Sequence, residues 1–265
     1  MCLISIAWKQ SERYPLVMVA NRDEYHTRPT LPADEWDDAP GVFGGRDLRA
    51  GGGWLALSRV GRLAAVTNVR EGLHAATGKS RGLLVSEYLR RSAGAGAVAE
   101  AERRHAEASQ FGPYNLLLWD GRDLVHATNR PAAGWQVLPP GLHGVSNGAL
   151  NSPWPKLQRV AAALRHWLQQ PHSDSEPDVS SLLGALADIS MAPDAELPDT
   201  GVGLDTERRL APPFIRGVEY GTRASSVVLV GRDGRTLFVE RNYDPGGVTT
   251  GEERTVLSMD NVELN

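Results

Sequence analysis

Apolar and polar positions along this chain follow two regimes. Towards both ends, short runs rich in Val, Ile, Leu and aromatic residues are separated by polar turns, the pattern of antiparallel strands. Residues 3–8 and 16–20 are the first two runs. The polar stretch from Lys9 to Tyr14 joins them, so they predict a hairpin that places residues 20–24 beside Cys2. Residues 54–57 and 63–66, linked through Arg59-Val60-Gly61, predict a second hairpin. Residues 114–119 and 124–128 flank Asp120-Gly121, a strong turn pair, and predict a third. Residues 142–146 read as a short strand ending at Asn147. Residues 225–230 and 236–241 pair across Gly231-Arg232-Asp233-Gly234, and 254–259 close a sheet edge.

Helical spacing dominates the middle. Leu83, Leu84, Tyr88 and Leu89 form one apolar stripe, and residues 95–109, rich in Ala, Glu and Arg, predict a more exposed helix. Pro153 opens a helix that carries Leu157, Val160, Ala161, Leu164 and Leu168 on one face. Residues 179–189 predict a short helix. The stretch holding Pro29, Pro32 and Pro40 reads as a loop, 171–177 as a mobile polar loop, and 192–204 as irregular. Hairpins, then helices, then hairpins make an α+β protein with helices layered on antiparallel sheets. The 265 residues are read as a single domain, 1–265.

Composition narrows the function classes. Hydrophobic content of 41% and charged content of 23% are ordinary for a globular protein. A net charge of −4 argues against a nucleic-acid partner. No apolar run approaches the ~20 residues of a membrane span. No signal-peptide pattern opens the chain, and one cysteine cannot form an intrachain disulfide, so the cytosol is the expected location. Arginine far outnumbers lysine, which suggests a GC-rich bacterial genome. The seven histidines (26, 74, 105, 126, 143, 166 and 172) include no pair spaced i, i+4, so no zinc site is expected. Gly51-Gly52-Gly53 lacks the Lys-Ser/Thr of a phosphate loop and reads as a flexible lip or tight turn.

The chemistry centres on Cys2, the one cysteine of the chain. Removal of Met1 would leave a thiol nucleophile and a free α-amine on one residue. Such an amine, with a pKa of about 8, can act as the base. Arg22, on the partner strand, would lower the thiol pKa. Asp23 could hold the α-ammonium, with Asn21 and Glu24 as alternatives for either role. Adjacent strand residues face opposite ways, so Arg22 and Asp23 converge on Cys2 only if the strand has ended or bulged. Asn68 and Asn147 each end a strand, and either amide could donate to an oxyanion. Arg223 opens a C-terminal strand and could complete the charge set.

Several marks run through the sequence in order. They are Met1-Cys2, Asn21-Arg22-Asp23-Glu24, Gly44-Gly45-Arg46-Asp47, Gly53-Trp54-Leu55-Ala56, Thr67-Asn68-Val69-Arg70, Ser146-Asn147-Gly148, Pro153-Trp154-Pro155-Lys156 and Tyr220-Gly221-Thr222-Arg223. Together they resemble the NRDE family, also called the transport and Golgi organisation 2 family. A more distant resemblance is to the cysteine N-terminal nucleophile hydrolases, such as bile salt hydrolases and penicillin V acylases. These resemblances imply an αββα sandwich and cleavage of a non-peptide amide or acyl substrate through an acyl-cysteine at Cys2. Arg22, Asp23, Asn68, Asn147 and Arg223 would support that chemistry, and hydrolysis would need no cofactor. The resemblance also carries an alternative, a non-enzymatic carrier of haem or an acyl lipid.

Overall fold

The computed structural model describes residues 2–72, 78–91, 96–173 and 177–259. Met1, His74, Ala95 and the middle of the loop 171–177 lie outside them. In chain order the strands and helices are β1 (Cys2–Trp8), β2 (Leu16–Tyr25), β3 (Thr30–Trp36), β4 (Ala39–Asp47), β5 (Leu55–Ser58) and β6 (Arg62–Asn68). Helices α1 (Gly82–Leu89) and α2 (Ala97–Ala106) follow, then β7 (Tyr114–Trp119), β8 (Leu124–Thr128), β9 (Gly134–Val137) and β10 (Gly141–Val145). Helices α3 (Pro155–Leu168), α4 (Ser180–Leu186) and α5 (Leu204–Leu210) precede β11 (Tyr220–Val230), β12 (Arg235–Tyr243) and β13 (Thr249–Ser258).

The strands form two antiparallel sheets. One has the order β10-β1-β2-β11-β12-β13, and the other β3-β4-β5-β6-β7-β8-β9. Alternation along each strand sends side chains to opposite faces. In β1, Ile4, Ile6 and Trp8 enter the core between the sheets, against Leu55, Leu57, Leu63 and Leu117 of the other sheet. Leu3 and Ala7 face the other way and pack under Leu157, Val160 and Leu164 of α3 and Leu183 and Leu186 of α4. On the far side, α1 and α2 cover the second sheet through Leu84, Val85, Tyr88 and Ala101, packed on Ala64, Val66 and Leu116. The layers are helix, sheet, sheet, helix: an αββα sandwich.

The pairing of β1 with β2 sets Cys2 opposite Arg22. Several elements depart from the sequence reading, among them β9 (Gly134–Val137), for which no strand was expected. The proline-containing stretch is not a loop but the hairpin β3–β4. Proline survives there because β3 is an edge strand and its register skips from Leu31 to Asp34, so Pro32 owes no ladder bond. Ala33, also skipped, donates its N–H across the sandwich to the Glu240 carboxylate at 2.7 Å. Helix α3 starts at Pro155, not Pro153. Trp154, held extended before the proline, is its cap. Residues 204–210, beginning where the stretch read as irregular (192–204) ends, form α5, for which no helix was expected.

Gly44 marks the tightest strand contact of the second sheet. Its φ is +152°, and a Cβ there would stand 2.6 Å from both the Ala56 Cβ and the Leu55 carbonyl oxygen. Neither neighbour can swing away. Gly44→Ala is therefore expected to lower unfolding stability by about 3 kcal/mol, through overpacking and backbone strain together, as read from urea denaturation.

Candidate active site

Cys2 lies at the mouth of the space between the sheets, on the first residue of β1, and is 8% exposed. It forms part of the floor of a cleft of about 490 Å³, within the range of small-molecule sites. Trp54, Asn68 and residues 78–82, before and into α1, also line it. A larger groove of about 950 Å³ lies at the far end of the first sheet, near Arg232 and Arg254, and offers no cysteine, serine or histidine among the described residues.

Arg22 stands on the same face as Cys2, directly across the ladder. It is buried and donates to Thr30 Oγ1 at 3.2 Å, with no carboxylate among the described residues in ion-pair range. Burial pushes the Cys2 thiol up from its ordinary value, as does the Asp23 carboxylate. The Arg22 charge and a hydrogen bond from the Asp23 backbone pull it back. At neutral pH the resting group is a thiol, and a base must take its proton.

Strand β2 neither ends nor bulges at the Asn-Arg-Asp-Glu cluster; it continues to Tyr25. The bulge is in the neighbouring strand β11, between Thr222 and Ala224. Asp23 consequently faces away from Arg22, towards the helical layer. There Thr222 Oγ1 donates to Asp23 Oδ1 at 2.7 Å, and burial raises the carboxyl pKa against the opposing charge of Lys156. Asn21, on that same face, ties β2 to the helical layer through Leu186 O and Pro213 O, at 2.8 and 2.9 Å.

Asn68 and Asn147 meet, and their contact gives them different jobs. Asn147 Nδ2 donates to Asn68 Oδ1 at 2.9 Å and to the Asn68 carbonyl at 3.1 Å. With its oxygen so held, Asn68 keeps its own Nδ2 as a donor, and the residue lines the cleft. Asn147 is fully buried and does not line the cleft. Arg223 is the residue of the β11 bulge. Its Nη1 donates to the carbonyls of Tyr25, His26 and Arg28, between 3.0 and 3.3 Å, and so pins the turn after β2 rather than entering the cleft.

Behind the cleft runs a buried polar chain. Ser146 Oγ donates to the Cys2 carbonyl at 2.9 Å, and Thr67 Oγ1 donates to the Ser146 carbonyl. Asn115 Nδ2 donates to Thr67 Oγ1 at 3.3 Å and to Gly148 O at 2.9 Å. Asn115 Oδ1 can only accept, so His126 donates to it from Nε2 at 3.0 Å as a neutral ring. Burial pushes the His126 pKa down to about 4 from 6.5. The unfolded chain takes up that proton below about 6.5 and the fold resists until about 4, so stability falls as pH falls through this window. The loss expected at the lower end is roughly 3 kcal/mol. His126→Gln keeps the N–H donor, and unfolding titrations between pH 7 and 4 should show it markedly less acid-sensitive than the parent.

Two parts of the site carry no periodic signal for chemistry. Lys156 is buried, donates to Leu210 O at 3.2 Å, and has its pKa pushed down to about 8 by burial, with Asp23 the leading charge in opposition. Its trace in the sequence is a lysine in register with Val160, Leu164 and Trp167 on the core face of α3. The basic segment Lys79-Ser80-Arg81 also lines the cleft.

The profile of the Transport and Golgi organisation 2 family matches residues 1–245. The chain belongs to this family. The bovine Transport and Golgi organization protein 2 homolog is 30% identical over 257 residues, covering 91% of each chain. The mouse homolog is 30% identical over 245 residues, covering 86% of this chain and 87% of its own. These relatives are animal proteins, which does not fit the bacterial source suggested by the arginine bias. Among solved structures, a Caenorhabditis elegans N-acylethanolamine-hydrolyzing acid amidase ortholog matches with a TM-score of 0.49 and 10% identity, over 86% of this chain and 92% of its own. The C2A mutant of conjugated bile acid hydrolase from Clostridium perfringens matches with a TM-score of 0.45 and 10% identity, over 99% and 94%. Among the described residues of this family member, no helix is long and apolar enough to cross a membrane.

Proposed function

We propose that the protein is an N-terminal nucleophile hydrolase of the cytosol that cleaves a small non-peptide amide or acyl substrate through an acyl-cysteine at Cys2. The observation that supports this reading is that Cys2, Arg22 and Asn68 line one cleft. Once Met1 is removed, the Cys2 α-amine takes the thiol proton as sulfur attacks the substrate carbonyl. Asn68 Nδ2 donates to the oxyanion of the tetrahedral intermediate. The amine returns the proton to the leaving nitrogen, the C–N bond breaks, and water then hydrolyses the thioester by the same path. Arg22 supports the developing thiolate, and Asn147 acts through Asn68 as a positioning residue. None of these steps requires a metal or a cofactor.

A panel of N-acyl amides, followed by release of free amine, tests the reading. The expected result is a burst approaching one equivalent per chain, then slower turnover. Saturable binding of haem or an acyl lipid without amine release from any substrate would favour the carrier alternative and count against hydrolysis.

A further inference from the structure

The most uneven feature of the cleft is its charge. Five basic and three acidic residues line it, one of the acidic ones being Asp23 with its carboxylate held by Thr222, in a chain whose net charge is −4. Elsewhere the arginines are routinely matched to carboxylates: Arg46 and Arg90 to Asp38, Arg104 to Glu100, Arg208 to Asp194. Within the cleft Arg28 follows that rule with Asp47.

Arg81 does not. It is half-buried at the threshold of α1, and no carboxylate among the described residues lies within ion-pair range of its guanidinium. Its contact is one long hydrogen bond, Nη1 to the Pro113 carbonyl at 3.5 Å. A guanidinium carries five N–H donors, so most of this group is unspent. Burial lowers its pKa. Arg49, at the rim, also lacks a carboxylate, and Lys79 is paired with the neutral amide of Gln110 at 2.7 Å.

The glycine run holds Arg81 in place. A Cβ on Gly52 would stand 2.4 Å from the carbonyl carbon of Gly82, and the Gly53 N–H donates to Gly82 O at 3.4 Å. The loop before β5 and the start of α1 therefore touch backbone to backbone, which sets Arg81 over the cleft. The run is the tight turn of the sequence reading, closed by Gly51 N–H to Asp47 O at 2.9 Å, and it clamps the start of α1.

We infer that the substrate carries an anionic oxyacid group, a carboxylate or a phosphate, and that Arg81 selects it by closing a charge-assisted contact across the cleft from Cys2. This rests on the reading of Cys2 as the nucleophile and adds the substrate class to it. A bidentate oxyanion matches the guanidinium fork and would return the electrostatic stabilisation that burial removes.

Two small alkylators that differ in charge make the test. Iodoacetate brings a carboxylate to the thiol, and iodoacetamide is its neutral counterpart. Their labelling rates at Cys2 are measured in the wild type, Arg81→Gln and Arg81→Lys. The iodoacetate-to-iodoacetamide ratio is expected to fall at least ~10-fold in Arg81→Gln, and Arg81→Lys to keep most of it, while the iodoacetamide rate stays within about 3-fold. Protection of Cys2 from iodoacetamide by acetate would point to a carboxylate substrate, and protection by inorganic phosphate to a phosphate, each lost in Arg81→Gln. A ratio unchanged by Arg81→Gln, with iodoacetamide still labelling, overturns the anion inference and leaves the nucleophile reading standing. Failure of both reagents to label Cys2 in the folded wild type removes the nucleophile reading and this inference with it.

Discussion

Cys2→Ala is expected to lower amide hydrolysis by at least about 10⁴-fold, because Cys2 is the one described cleft residue that would join a thiol nucleophile to its own α-amine base. The fold should tolerate the change. Cys2 is the last residue of the inter-sheet core towards the cleft, and its thiol accepts one hydrogen bond, from the Asp23 backbone. Removing one sulfur there should cost about 1 kcal/mol, so the variant stays folded while activity disappears. Cys2→Ser should also be severely impaired, since a buried hydroxyl beside one α-amine is far harder to ionise than a thiol. Steady-state assays on purified variants, each checked by urea denaturation, separate loss of chemistry from loss of fold. Near wild-type turnover in Cys2→Ala would move the chemistry elsewhere.

Asn68→Ala is expected to reduce kcat by 10²–10³, the range typical for loss of one fixed oxyanion donor, with a much smaller change in KM. The structure makes a sharper statement through Asn147. Its amide nitrogen is spent on Asn68 and its side chain does not line the cleft. Asn147→Ala should therefore cost less than Asn68→Ala, and the double variant about as much as Asn68→Ala alone. Two independent donors would instead lose activity additively. A double-mutant cycle on kcat distinguishes these outcomes, and an additive result would return Asn147 to the reacting atoms.

The parts of the site legible in the sequence are those fixed by strand alternation. The apolar run after Cys2 and the run ending at Ala20 could pair only as a hairpin, and that pairing brings Arg22 opposite Cys2. Asn68 was visible for a similar reason, as the polar residue that stops an apolar strand. What periodicity could not show is how a long-range neighbour uses a side chain. Arg223 looked like a charge for the cleft, but the bulge in β11 turns it onto three carbonyls of the β2 turn. Asp23 takes the face of β2 opposite to Arg22, because β2 continues to Tyr25, and Thr222 donates to it there, while its carboxylate still acts on the Cys2 thiol. The hairpin β3–β4 was hidden because edge strands tolerate proline and charge, the residues that otherwise spell a loop. Arg81 was hidden because its role depends on a backbone contact between Gly52 and Gly82, thirty positions apart in sequence.

The central claim is that Cys2 acts as an N-terminal nucleophile, and intact mass spectrometry of the native protein during turnover of an N-acyl amide tests it most directly. The predicted result is a chain that lacks Met1 and transiently carries one acyl group, mapped to Cys2. A chain that retains Met1 while hydrolysing the substrate, or turnover with no acyl group on Cys2 at any time, would contradict it.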